Sequence, residues 1–141
     1  MSNFITLEDY DASIHREILD ALVRDDEAIV EIVEDRTVAE MRSFLSNRYD
    51  CDKLFGATGE ERNNLVLMMA IDIAIYHIFC IHNPQKLSQV RKDRYDRAVT
   101  WLKEVNRERA TIDGAPLLPD NILAENSRFL SSSNHKRINH Y

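Results

Sequence analysis

The sequence predicts an all-α protein: a small helical bundle built around a long antiparallel helix hairpin, at about 60–82 and 85–108, with an N-terminal helix pair before it and a flexible C-terminal tail after it. Three observations carry this. Only 3 Gly and 3 Pro occur in 141 residues, so little interrupts the chain, which favours long helices over many short strands. Apolar residues recur three and four positions apart in successive segments. Residues 65–82, LVLMMAIDIAIYHIFCIH, are almost wholly apolar, as the central helix of a bundle must be. The length suits one domain with one modest core. We place a helical domain at about 1–120 and a short helix with a basic, disordered tail at about 121–141.

The elements follow in order. Thr6 with Asp9 three residues on reads as a weakened capping box. Ile14, Ile18 and Leu22 then set a helix over about 13–24. Asp25 or Asp26 caps the next helix, with Glu27 in its first turn. That helix runs to about Tyr49 on a stripe of Ile29, Ile32, Val33, Met41, Phe44 and Leu45, thin around Thr37. DCDKLFGATG, residues 50–59, reads as a loop. Thr58 or Gly59 caps the third helix, whose core residues include Leu67, Ile71, Ile75, Ile78 and Phe79. Asn83 as N-cap and Pro84 at the first helical position open the fourth helix after a very short connection, so the two form an antiparallel hairpin. Leu87, Val90, Tyr95, Ala98, Val99, Leu102 and Val105 give the fourth helix its core stripe. A turn at Asp113-Gly114 follows, and Asp120 caps a short helix that fades by Arg128. No internal repeat is found.

The apolar run of 65–82 is marginal in length for a bilayer, and Asp72 sits near its middle, where a charge costs about 2.5–3.5 kcal/mol. The flanks lack an aromatic belt. A buried core helix is the better reading, and it obliges Asp72 to have a partner. Tyr76 lies one turn on, and Arg48 closes the second helix. We expect Asp72 to pair with Arg48, locking the second helix to the third.

His77, Cys80 and His82 lie close in sequence, but zinc needs three or four convergent ligands and only Cys51 is left to add one. They read as a core cysteine and ordinary histidines, and no metal or other cofactor is expected. No Gly-rich phosphate loop, HExxH or GxSxG occurs, so no enzymatic role and no small-molecule substrate are expected. Two cysteines give no disulfide framework and point to a reducing compartment. The acidic, polar N-terminus does not read as a signal peptide.

The net charge of −6 argues against a dedicated nucleic-acid coat. The charge is uneven. Residues 1–60 hold 15 Asp/Glu and 6 Lys/Arg, a balance of −9, and residues 61–141 hold 9 and 12, a balance of +3. Either two faces are solvated differently, or the acidic part of one molecule docks on the basic part of another. The basic face of the fourth helix carries Arg91, Lys92, Arg94 and Arg97, with Trp101 beside them as an interface anchor or a flank of the core. Asp93, Asp96 and Glu104 are interleaved, which favours a solvated or partner-facing surface over a DNA-binding one.

Four segments, taken in order, carry a family likeness. ITLEDY opens the chain. AEMRSFLSNRYD has the form A-E-x-x-x-[YF]-L-x-x-R-Y, MAIDIAIYHIF the form D-I-A-x-Y, and RYDRAVTWLKEVNR the form R-Y-x-x-A-x-x-W-L-x-x-V. Each is weak alone; their order and spacing are more specific. Over about residues 3–117 the chain resembles the phage Mu-like small virion protein family. That family is catalogued as a domain of unknown function in tailed phages and prophages and is linked to head–tail connectors. The family's Gly after W-L-x-x-V is replaced by Asn106, Arg107 and Glu108, and its proline-rich segment after R-Y by DCDKLFGATG. The resemblance implies a head-completion or adaptor protein that assembles as a ring on or below the portal. Its partners would be other copies of itself and the portal and tail proteins, with DNA only as passing cargo. It would reside in the bacterial host's cytoplasm and then in the virion. It implies no catalytic residue. The alternative is a DNA-binding helical module, a packaging recognition subunit or a regulator, using the basic face of about 91–109.

Overall fold

The computed structural model describes residues 3–23 and 27–123. The expected cap at Asp25 or Asp26 lies outside the described residues, as does everything expected beyond residue 123, including the basic tail. The chain forms α1 (Arg16–Val23), α2 (Glu27–Leu45), α3 (Cys51–Gly56), α4 (Asn64–His82) and α5 (Gln89–Asn106), with 3₁₀ turns at Leu7–Ala12, Gly59–Glu61 and Pro84–Lys86. No strand occurs among the described residues, only an isolated antiparallel bridge between Tyr49 and Leu117.

The fold is an up-down-up arrangement of α2, α4 and α5. Tyr76 of α4 stacks on Tyr95 of α5 with ring centroids 3.9 Å apart, and Asp72 meets Arg97 one turn away. Numbers that fall on one helix rise on the other, so the hairpin is antiparallel. Glu40 of α2 bonds His77, and Arg36 shares a groove with Ile81, so α2 and α4 also run in opposite directions. The all-α fold expected from the sequence is present.

α4 is the axis. By length and composition it could cross a membrane, but ten of its residues, from Val66 to Phe79, are buried in the bundle. Burying each large aliphatic side chain there contributes about 1.5–3 kcal/mol. α2 presents Val30, Val33, Glu34, Thr37, Val38, Met41 and Leu45 to the core, a pattern of i, i+3, i+4, i+7 spacing. The thin stretch at Thr37 is therefore core, with Thr37 itself fully buried, while Ile32 of the expected stripe faces outward at 50% exposure. Ile29 and Phe44 pack on the core half-buried.

Several expected boundaries are corrected by local hydrogen bonding. Asp9 accepts from the Thr6 backbone N–H (2.7 Å) and hydroxyl (2.9 Å), but the turn it caps is 3₁₀, and α1 begins only at Arg16. α2 stops at Leu45, four residues short of Tyr49, because Tyr49 turns extended to bridge Leu117. Within the expected loop, Asp50 accepts from the Lys53 N–H and starts α3, which buries Cys51, Leu54 and Phe55. α4 is capped by Asn63, whose side chain accepts from Val66 N, not by Thr58 or Gly59. Pro84 opens a 3₁₀ turn, and Ser88 caps α5. Val90, expected in the core, falls on the outer side of that first turn and is 58% exposed, and Leu87, before the helix, is half-buried. Tyr95 is half-buried, while Ala98, Leu102 and Val105 are buried.

Two segments strap the bundle. Residues 4–14 bury Phe4, Ile5, Tyr10 and Ile14, and Phe4 meets Phe55 edge-on at 5.1 Å. Residues 112–118 return to the end of α2: the Tyr49 hydroxyl accepts from Ile112 N (2.9 Å), Asp50 N donates to Pro116 O, and Leu118 N donates to Arg48 O. At the end of α5, Arg109 N reaches Glu104 O and Glu108 N reaches Val105 O, the double bond of a Schellman cap. Glu108 stands at φ 62, where glycine is the easy residue, at a cost of about 1 kcal/mol.

Candidate interaction face

A cleft of about 560 Å³ opens between the Leu7–Ala12 turn and the α4–α5 hairpin. Glu8, Asp9, Ala12 and Ser13 form one wall, Asn64, Leu67, Met68, Ile71 and Asp72 the floor, and Arg94 and Arg97 the other wall. Met68, whose spacing on α4 suggests core, is 43% exposed there. The cleft thus joins a flexible apolar side chain to guanidinium groups, a mixture common at protein–protein contacts.

Asp72 is buried as expected, but its partner is Arg97, at 2.7 Å, not Arg48. The hairpin register sets Arg97 opposite Asp72. Arg48 is carried past the end of α2 into the turn that meets Leu118, with its guanidinium 5.6 Å from the Tyr49 ring centroid. Nor does Tyr76 serve Asp72. It stacks on Tyr95, and the neighbouring Cys80 thiol raises the pKa of its phenol. The pair Asp72–Arg97 is one-sided: the carboxylate is 4% exposed and the guanidinium 53%. The charge is thus buried at one end and offered to solvent at the other.

The remaining basic residues divide by use. Arg91 donates through Nη2 to Ser13 O, and its buried Nη1 has no hydrogen-bond partner among the described residues. Desolvation, helped by Arg94, lowers the Arg91 pKa, and Asp72 opposes the shift. Lys92 is exposed, and Arg94 is half-buried in the cleft wall. Trp101, one turn beyond Arg97, is half-buried against the core. On the acidic wall, burial would raise the Asp9 pKa, but bonds from Arg62 and Thr6 outweigh it and hold the carboxyl below its ordinary value. Asp11 is spent on Arg16 at 3.0 Å.

Two polar clusters escaped the sequence reading. In the first, Glu40 accepts from the Tyr95 hydroxyl (3.0 Å) and lies 3.0 Å from His77 Nε2, tying all three core helices together. Burial and Glu40 push the Tyr95 phenol up to about 12. In the second, the Tyr10 hydroxyl donates to Glu34 at 2.9 Å, both side chains being buried. Burial raises Glu34 to about 7; Asp35, Glu31 and Asp9 add to the shift, and the Tyr10 bond opposes it. The clue was the i, i+3, i+4 run of Val30, Val33 and Glu34, which puts Glu34 on the core face once a carboxyl is allowed there.

Among the described residues, no group of three or more His, Cys, Asp or Glu side chains is placed to hold a metal ion. Cys51 is buried on α3, but Cys80, expected as a core cysteine, is exposed on α4. Comparison of the chain with protein-family models, with curated proteins and with solved structures gave no match in any of the three.

Proposed function

We propose that this chain is a structural head–tail connector of a phage or prophage, a head-completion or adaptor protein that assembles with further copies of itself as a ring on or below the portal. The observation that carries the reading is where its motif residues meet. Glu8 and Asp9 come from ITLEDY, Ile71 and Asp72 from MAIDIAIYHIF, and Arg94 and Arg97 from RYDRAVTWLKEVNR, and all six line one cleft. Glu40, from AEMRSFLSNRYD, bonds Tyr95 behind it. A surface built jointly by distant segments suits recognition of a protein partner. The uneven charge supports contacts between unlike faces, which rings require.

In this reading the protein performs no chemistry. It serves in the host cytoplasm and then the virion, alongside portal and tail proteins, with DNA passing through. The DNA-binding alternative is weakened because Arg91 and Arg97 spend hydrogen bonds inside the protein.

Light scattering behind size exclusion, over a range of concentrations and at two salt levels, tests the proposal. Oligomers that dissociate as salt rises are expected. A strict monomer under every condition overturns self-assembly. Retention on duplex DNA that falls steeply with salt would favour the alternative.

A further inference from the structure

The strap at residues 4–14 closes its own turn, with the N–H groups of Ser13 and Ile14 both reaching Tyr10 O, and side chains fasten it to the bundle. Guanidinium groups hold it at carbonyls: Arg62 at Phe4 O (2.8 Å), Arg16 at Leu7 O (3.1 Å) and Arg91 at Ser13 O. Arg62 also meets Asp9. Guanidinium groups keep their charge throughout the range in which proteins fold. Burial works to raise the Asp9 carboxyl, but bonds from Arg62 and Thr6 hold it below its ordinary value. These fastenings therefore do not change near neutral pH.

The attachment at the middle of the strap is of another kind. The Tyr10 hydroxyl donates to Glu34 at 2.9 Å, with Tyr10 fully buried and Glu34 6% exposed. The charges acting on Glu34 are carboxylates: Asp35 and Glu31 from its own helix and Asp9 from the strap. Arginines on the surrounding elements are engaged elsewhere, Arg16 with Asp11, Arg62 with Asp9, Arg91 with Ser13 O and Arg97 with Asp72. His77 of α4 is bonded to Glu40, and Glu17 and Asp20 of α1 are exposed. A buried carboxyl in such surroundings favours its neutral form. Glu8 and Asp9 before Tyr10, and Ala12 and Ser13 after it, line the cleft. The Tyr10–Glu34 bond thus anchors the centre of that wall.

We infer that residues 4–14 are a pH-sensitive wall of the cleft: protonated Glu34 keeps the wall in place through Tyr10, and ionisation of Glu34 favours a state in which the wall has swung off and the carboxylate meets water. The apolar floor at Leu67, Met68 and Ile71 is then uncovered on that side. The device belongs to the cleft itself and stands whether or not the protein self-assembles. Its sign follows from linkage. With the wall in place, burial and the neighbouring carboxylates set Glu34 at about 7 against the Tyr10 bond; with the wall off, it returns to 4.5. The opening constant therefore rises as pH climbs from about 4.5 to about 7, by up to about 300-fold, and is level above that.

Hydrogen exchange of the whole chain from about pH 5 to about pH 8, corrected for intrinsic rates, tests this. The Ser13 and Ile14 amides should exchange well ahead of those of Leu102 and Val105 in α5. Their protection should fall about fiftyfold over that range in the parent and stay level in Glu34→Gln. Strap amides as protected as those of α5 overturn the inference, because the wall then comes away only with the whole fold. Equal pH profiles in parent and variant overturn it as well. Thermal melting verifies that Glu34→Gln folds; if it does not, Glu34→Met, unbranched and uncharged, replaces it.

Discussion

The surroundings of Asp72 and Glu34 pose one problem and answer it differently. Each is a carboxyl buried in a helix that faces the core. Asp72 is met by the guanidinium of Arg97, a fixed charge that reaches in from a half-exposed position. Glu34 is met by the phenol of Tyr10, and its charged neighbours are the carboxylates of Asp35, Glu31 and Asp9. In the first case the carboxyl faces a guanidinium partner at 2.7 Å. In the second no cation among the described residues balances the charge, and burial with the neighbouring carboxylates raises the carboxyl to about 7 against the opposing Tyr10 bond. A buried acid therefore marks a place where the fold depends either on a partner residue or on the pH of the solution.

The sharpest way to break the contrast is Arg97→Ala. It leaves the Asp72 carboxylate buried and unbalanced, and a loss of about 2–3 kcal/mol is expected in urea unfolding at pH 7. Asp72→Asn added to that variant should recover part of the loss, because the stranded charge is gone. No recovery would mean that Arg97 acts by packing alone.

Next in size is Glu34→Gln. The carboxyl titrates near 7 in the folded protein against 4.5 for its ordinary value. Folding therefore favours the protonated acid. Its stabilising contribution is complete below the unfolded value, fades as pH rises above it, and is gone once pH passes about 7. The amide keeps an acceptor for Tyr10 without the charge, so the variant should be more stable than the parent by about 2 kcal/mol at pH 8. The two should converge toward pH 4. Denaturation at a series of pH values reads both; equal pH profiles would show that Glu34 is solvated.

Tyr10→Phe should cost about 1–1.5 kcal/mol at pH 8, where it strips the donor from a buried carboxylate. Removing that donor also raises the Glu34 value further, so its titration, followed by NMR, should move upward. The smallest effect belongs to Asp11→Ala. Asp11 also pairs with an arginine, but both side chains are largely in solvent, so a loss of under about 0.5 kcal/mol is expected. Burial, not pairing, then separates Asp72 from Asp11.

The hairpin and the fate of Asp72 were largely legible in the sequence. An apolar helix with one acid demands a partner, and a short connection demands an antiparallel neighbour. The partner's identity was not legible, because it depends on register. Six residues, not one or two, separate α4 from α5, and that length decides that Arg97 faces Asp72. α3 was hidden because Gly56 and Gly59 dominate a segment whose Leu54 and Phe55 are buried, with Phe55 set edge-on against Phe4 of the N-terminal strap. Val90 was misplaced because its helix starts later than Pro84 suggests, so its turn lies at the open end. The cleft was half legible. The arginines were plain on the helix periodicity, but the exposure of Met68 depends on which neighbours stop short of it.

The chain has a single tryptophan, and it stands one helical turn beyond Arg97, half-buried on α5. The protein's ultraviolet emission is therefore dominated by light from one side of one helix. Unfolding hydrates that indole and shifts its emission to the red. A second subunit covering this side would dry it and shift the emission to the blue. The two events are thus separable by colour, in the same cuvette, without any label.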